Sequence, residues 1–280
     1  MDTFWKDWVW KNGKYEERKG CYDSCQACDV RFLSVFFVLC YFGINRKVTL
    51  IGKGQKKMKN MKKSGKQVLL TGGMLVVAFA VWTVLIQVVD VQPMGQNGTK
   101  IGFASFNRWF HQVTGVHMPI YIITDWLGLV PIFVCMIFAG VGLVQMVRRR
   151  SLFKVDYDII WLGIYYVLVI FGYLIFEMIP INYRPILIEG IMEASYPSST
   201  TLLVLSVMPT LIFQVKRRLK NVTAKNFIYI VTVIFSAFMV IGRLVSGVHW
   251  FTDIVGSVIL SAGLFCFYKA IVLLIYKEEN

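Results

Sequence analysis

Long apolar runs separated by short polar connections dominate the chain. Runs of about 20 apolar residues suffice to cross a bilayer as a helix, and six recur, at roughly 67–91, 118–147, 157–180, 199–215, 227–246 and 250–274. The pattern predicts an all-α, polytopic membrane protein: a six-transmembrane-helix bundle occupying residues 61–280. So little chain lies outside the spans that any chemistry must sit on the helices and their connections. Between the first two spans, "FASFNRWFHQV" places Phe103, Phe106, Phe110 and Val113 at helical spacing. This predicts a short helix lying in the outer interface, flanking a lipid access path or capping the bundle without touching substrate.

Residues 1–60 break the pattern. They mix Trp, Lys, Glu and Cys without a sustained period, and their one apolar run, "FLSVFFVLCYFGI" at 32–44, is shorter than a normal span. They are expected to form an irregular extension or marginal helix. "MKNMKKSGKQVLLTGGMLVV", from Met58, has the form of a membrane-protein start, so residues 1–57 are expected to be dispensable.

Composition agrees with the bundle: 56% of the 280 residues are hydrophobic, too many for an ordinary soluble domain. The net charge of +14 would suit nucleic acid if it formed one basic face, but its distribution argues otherwise. Basic residues cluster before the first span (Lys53 to Lys66), after the second (Arg148, Arg149, Arg150, Lys154) and between the fourth and fifth (Lys216 to Lys225). Alternate connections are therefore basic, the positive-inside pattern. Both ends of the six-span core are then cytoplasmic, and connections 92–117, 181–198 and 247–249 face outward from the plasma membrane. No nucleic-acid partner is expected. Cys135 and Cys266 lie within spans as small apolar packers. Cys21, Cys25 and Cys28 are closely spaced, but the second half of a zinc site is missing.

Against this background "GRLVSGVHWFTD" (242–253) is out of place. His249 and Asp253 are four residues apart, so on a helix they share a face. That spacing lets the carboxylate accept one ring N–H and leaves the other nitrogen free as base or nucleophile. Arg243 ends the fifth span, and Ser246-Gly247 marks a break that can turn its guanidinium toward the imidazole. Either residue alone has a structural explanation, since an Arg at a span end snorkels to the headgroups. A second segment, "NYRPILIEGIMEASYPSSTT" (182–201), carries Arg184-Pro185 and then Pro197-Ser198-Ser199-Thr200 at the start of the fourth span. A helix start with hydroxyls presents N–H groups to an anion, although Pro and Ser also simply initiate helices. The charge rule puts both segments on the same side. Two arginines, an imidazole–carboxylate pair and a hydroxyl-rich helix start suit a phosphate group. Asp125, inside the second span, reads as structural, and His111 and His117 have no carboxylate at ligand spacing.

These residues resemble the type 2 phosphatidic acid phosphatase superfamily, membrane lipid phosphatases related to vanadium haloperoxidases. Its motifs are K-x6-R-P, P-S-G-H and S-R-x5-H-x3-D. The third is kept as Arg243, His249 and Asp253, with Gly242 in place of Ser. The first keeps Arg184-Pro185 but has Glu177 where the Lys belongs. The second keeps Pro197-Ser198 but has Ser199 and Thr200 for Gly and His. The resemblance spans about 60–276. It implies a metal-independent phosphatase without cofactors, acting on a phosphorylated membrane lipid. His249 would be the nucleophile, Asp253 its orienting acid, and Arg184 and Arg243 the phosphate ligands, helped by Ser198, Ser199 and Thr200. Thr200 cannot serve as the acid that protonates the leaving oxygen, which leaves Glu177 and Glu193 as candidate donors. A catalytically impaired member that binds or transports phosphorylated lipids is the alternative expectation.

Overall fold

The computed structural model describes residues 54–275 in backbone and 61–275 in side chains. The 32–44 run and the cysteine triplet lie outside the described residues.

The helices, in chain order, are α1 (Gly54–Val88), α2 (Ala104–Thr114), α3 (Met118–Leu127), α4 (Leu129–Arg149), α5 (Tyr157–Met178), α6 (Ser199–Arg218), α7 (Val222–Val245) and α8 (Phe251–Ile275). A two-residue antiparallel ladder (Gln92–Pro93 with Lys100–Ile101) precedes α2. Six spans, Met61–Val88, Met118–Arg149, α5, α6, α7 and α8, are long and apolar enough to cross a membrane, and the protein is an integral membrane protein. The second span is not one uninterrupted helix as its hydropathy suggests. It divides at Gly128 into α3 and α4. A Cβ at Gly128 would stand 2.8 Å from the Asp125 carbonyl oxygen and 3.5 Å from the Thr200 Cγ2.

The spans have unequal roles. In α6 and α8, 61% of the most apolar window is buried inside the protein, against 17–22% for α1, α3–α4 and α5. The outer helices therefore turn Leu, Val, Ile and Phe outward, as Leu70, Val77, Ile132, Phe133, Phe171 and Ile234 do, where lipid would solvate them. α8 packs along α1 and also against α6 and α5. It is small-faced where it must pass close: a Cβ at Gly256 would lie 2.4 Å from the ring of Tyr196, so only glycine lets that buried tyrosine seat. Tyr196 in turn stacks on Phe79 at 6.0 Å and hydrogen-bonds Thr83 at 2.7 Å.

The two ends of the bundle differ. At the basic end, Asp158 pairs with Arg218 (2.9 Å) and Arg217 (3.3 Å), while Asp156 pairs with Arg149 (2.8 Å) and Arg218 (2.9 Å). Gln145 and Gln214 add hydrogen bonds to the same network. Asp158→Asn removes the charge that Arg217 and Arg218 share but leaves Arg218 with Asp156 and Gln214 and Arg217 with Tyr157. Those remaining partners, and the quarter to a third of exposure that the arginines keep, hold the cost below that of a broken buried pair, at about 1 kcal/mol. A lower midpoint of thermal unfolding in detergent is the expected result; an unchanged midpoint means that solvent already screens the network.

The opposite end holds the connections expected to converge. α2 forms where aromatic spacing predicts a helix, and it buries Ala104, Asn107 and Phe110. Asn107 donates to the Gly102 carbonyl (2.9 Å) and to Thr252 Oγ1 (3.1 Å), which ties α2 to the start of α8. Phe103 is not on the helix. It caps α2 in a left-handed conformation and stacks on Trp82 at 5.2 Å.

Candidate functional site

The site is built from three pieces of chain. The first is the connection between α5 and α6, which folds back on itself: Tyr183 bridges Ala194, the Arg184 N–H donates to the Glu193 carbonyl (3.1 Å), and the Ser195 N–H donates to the Asn182 carbonyl (2.9 Å). Arg184 and Ser195 are thereby held on opposed strands. The second is the turn between α7 and α8. Gly247 takes φ +71°, and a Cβ there would lie 2.1 Å from the Gly115 carbonyl oxygen, so the turn requires glycine. Trp250 Nε1–H donates to the Tyr183 carbonyl (2.8 Å) and locks the turn to the first piece. His111 Nε2 lies 3.0 Å from the Gly247 carbonyl, so this histidine braces the turn, while His117 anchors to Ser246 through its backbone. The third is α3, which brings Tyr121 and Asp125.

His249 stands at the centre and is 3% exposed. Its Nδ1 lies 3.1 Å from the Ser195 carbonyl and 3.0 Å from Ser195 Oγ. A carbonyl oxygen only accepts, so Nδ1 carries the ring proton and Nε2 keeps its lone pair. Nε2 is buried without a hydrogen-bond partner. Burial first, then the nearby Arg243 and Arg184, push the His249 pKa well below the ordinary histidine value. Both effects favour the neutral imidazole, with the Nε2 lone pair free.

Asp253 is fully buried at the first turn of α8. It does not hydrogen-bond the ring directly, as the i, i+4 spacing suggested. Its Oδ2 accepts from Ser195 Oγ–H (2.5 Å) and from the Trp250 N–H (3.0 Å), and its Oδ1 accepts from Asn182 Nδ2 (3.1 Å). The spacing argument requires both residues on one helix. α8 begins at Phe251, so His249 belongs to the preceding turn and its ring approaches from another direction.

The arginines meet around Tyr121. The guanidinium of Arg243 lies 4.9 Å from the ring centroid and that of Arg184 lies 5.8 Å away. An aromatic face attracts cations, and here it sits against both. Each arginine also faces a carboxylate: Arg184 Nη2 is 2.9 Å from Glu193 Oε2, and Arg243 Nη1 is 3.5 Å from Asp125 Oδ1. The side chain of Asp125 is 57% exposed, against 1% for Arg243, so Asp125 is hydrogen-bonded as expected and meets the buried arginine from the rim. Among the described residues, six buried side-chain polar atoms lack a partner. Four of them are Arg184 Nε and Nη1, Arg243 Nε and His249 Nε2. Buried polar groups are nearly always satisfied. Three of these four are guanidinium donors, which suit an acceptor-rich group, and the fourth is the lone pair of His249 Nε2.

Glu177, Arg184, Glu193 and Ser199 line one cavity of about 170 Å³ together with Tyr173, Phe176 and Tyr196. Glu177 and Glu193 thus share this cavity with Arg184, whereas His249 and Arg243 do not line it. Ser198 is committed elsewhere: its Oγ–H donates to Thr201 Oγ1 (3.1 Å) and its N–H to the Asp253 carbonyl (3.4 Å). Thr200 faces Gly128 at the α3–α4 break. α6 and α8 both start at this end, and their first-turn N–H groups and dipoles favour an anion there. Ser195 and Tyr121 escaped the sequence reading. Neither falls in a motif, and Tyr121 looks like any aromatic of a span.

No curated protein matches the sequence. The family model described as the PAP2 superfamily matches residues 174–276. The fold is similar to the crystal structure of a transmembrane PAP2 type phosphatidylglycerolphosphate phosphatase from Bacillus subtilis, with a TM-score of 0.55 and 16% sequence identity over 74% of this chain and 98% of that one. Arg184, Arg243 and His249 thus lie in the part of the chain that matches the PAP2 superfamily model, and the fold is similar to that of a PAP2-type membrane phosphatase.

Proposed function

We propose that the protein is an integral membrane phosphatase that hydrolyses a lipid phosphate or lipid diphosphate, of phosphatidate, phosphatidylglycerophosphate or polyprenyl-diphosphate type, at the outer face of the plasma membrane. The observation that carries this reading is the convergence of unpartnered nitrogens from Arg184, Arg243 and His249. In the proposed reaction the Nε2 lone pair attacks phosphorus. The N–P bond forms as the P–O bond to the leaving group breaks, and its electron pair goes to the leaving oxygen. Nδ1 keeps its proton. Arg184 and Arg243 hold the equatorial oxygens, where charge builds in the transition state. Water then attacks phosphorus, the N–P bond breaks, and the imidazole is regenerated with inorganic phosphate.

The outer-face assignment is supported by the bundle's polarity: the basic clusters lie at the end of α6 opposite His249, which the positive-inside rule assigns to the cytoplasm. Thr200 supplies no matched acid, and general acid help is worth about 10²–10⁴-fold. A lipid diphosphate, whose leaving group is itself a phosphate, tolerates this loss better than a monoester. The carboxylates facing both arginines favour a second reading, a family member that binds or carries phosphorylated lipids without cleaving them. Phosphate release from a panel of lipid mono- and diphosphates by purified protein decides between them. Release, greatest with diphosphates, supports the enzyme; binding without release supports the carrier.

The depressed basicity of His249 sets the pH dependence. Its ring stays neutral as pH falls through the ordinary value of about 6.5, so activity persists there and is lost only on protonation below it. The acid limb of kcat/KM, which reports the free enzyme, is expected below about 6.5 once the substrate's own ionisation near about 6 is corrected for. A limb above that value contradicts a neutral, buried nucleophile.

A further inference from the structure

We infer that Ser195 is the positioning residue through which Asp253 acts on the nucleophilic ring; the inference rests on the phosphatase reading above for its catalytic consequence. The geometry is a two-bond relay: His249 Nδ1 is 3.0 Å from Ser195 Oγ, and Ser195 Oγ–H donates to Asp253 Oδ2 at 2.5 Å. The hydroxyl has one proton, and that proton goes to the carboxylate. Its lone pairs therefore face Nδ1–H, which it shares with the Ser195 carbonyl at 3.1 Å. One residue thus offers the imidazole two acceptors with different jobs. The carbonyl is neutral and fixes the tautomer. The hydroxyl is polarised by a buried carboxylate and brings its negative charge to the ring without touching it.

The relay is firmly mounted. Ser195 is 1% exposed and Asp253 0%, and the Ser195 N–H is held by the Asn182 carbonyl. Asp253 keeps the Trp250 N–H and the Asn182 amide whether or not the hydroxyl is present. Removing the hydroxyl therefore unlinks Asp253 from His249 while leaving both anchored. When Nε2 bonds phosphorus the ring gains positive charge, which Nδ1–H passes toward Ser195 Oγ. The Oγ–H···Oδ2 bond tightens in response, and no proton needs to leave either partner. Ser195 consequently acts on the chemical step and not on substrate capture.

A double-mutant cycle tests the relay. Ser195→Ala is expected to lower kcat by about 10–100-fold, the range an orienting partner of an imidazole is worth, with KM little changed. Asp253→Asn is expected to do the same, and the double variant to be no worse than the more damaging single one, because both remove one link. Ser195→Thr, which keeps the hydroxyl, restores activity toward wild type. Losses that multiply in the double variant overturn the relay, since independent residues behave additively in free energy. A wild-type protein that releases no phosphate defeats the phosphatase reading instead. The relay is then decided by magnetic resonance of histidine labelled with nitrogen-15, the His249 signal being the one absent from His249→Gln. The Nδ1-bound proton is expected to move upfield in both Ser195→Ala and Asp253→Asn. A resonance that moves in neither variant overturns the assignment.

Discussion

His249→Gln is expected to lower phosphate release by about 10⁴–10⁶-fold, the scale on which loss of a covalent nucleophile or its base is felt. The glutamine amide can still donate to the Ser195 carbonyl, so the turn at 247–250 keeps an anchor besides Trp250 Nε1. It offers no nucleophilic nitrogen. Lipid-phosphate binding should survive, because Arg184 and Arg243 are untouched, so kcat collapses while the affinity measured by equilibrium binding stays within a few fold. Retained turnover with normal folding would mean that another group attacks phosphorus.

Arg243→Ala is expected to cost about 10²–10³-fold in kcat/KM, the penalty for removing one donor to the charge of a transition state. Arg243 is 1% exposed, its Nε is without a partner and its Nη1 meets Asp125 only at 3.5 Å, so much of its charge is left for a bound group. Arg243→Lys should recover little. Lysine presents a point charge where the guanidinium presents a planar fork, and it cannot reproduce the stacking on Tyr121 at 4.9 Å. Steady-state kinetics on a lipid diphosphate measure both variants. Equal activity of Arg243→Lys and wild type would show that charge alone, without geometry, is what the site uses. A weaker effect at Arg184 is expected, since Glu193 already engages its Nη2 at 2.9 Å.

What could be read from the sequence follows the range over which each signal acts. The spans are legible because bilayer thickness imposes a length on every one of them, and the observed limits fall within a few residues of the apolar runs. Arg243, His249 and Asp253 stand out because polar groups at the ends of apolar runs are costly unless they have partners. The direct His249–Asp253 bond failed as an expectation for a local reason. Spacing of four residues implies a shared face only within a helix, and α8 starts two residues after His249. Ser195 was invisible because its role depends on a fold-back of residues 182–195, whose pairing leaves no periodic trace. Asp125 has the hydrogen bond expected of a carboxylate inside a span, and its partner, Arg243, is 118 residues away in sequence and so not legible there. The Ser198 hydroxyl donates to Thr201 Oγ1, a local bond that the motif does not reveal.

The central claim is that the free nitrogen of His249 takes the phosphoryl group. The most direct test incubates the purified protein briefly with a lipid diphosphate carrying phosphorus-32 in its terminal phosphate, quenches in alkali, where phosphohistidine survives, and locates the label by peptide mapping. The label is expected on the peptide containing His249 and to be lost on mild acid treatment. Phosphate release with no protein-bound label at any quench time, or label on a peptide that lacks residue 249, would contradict it.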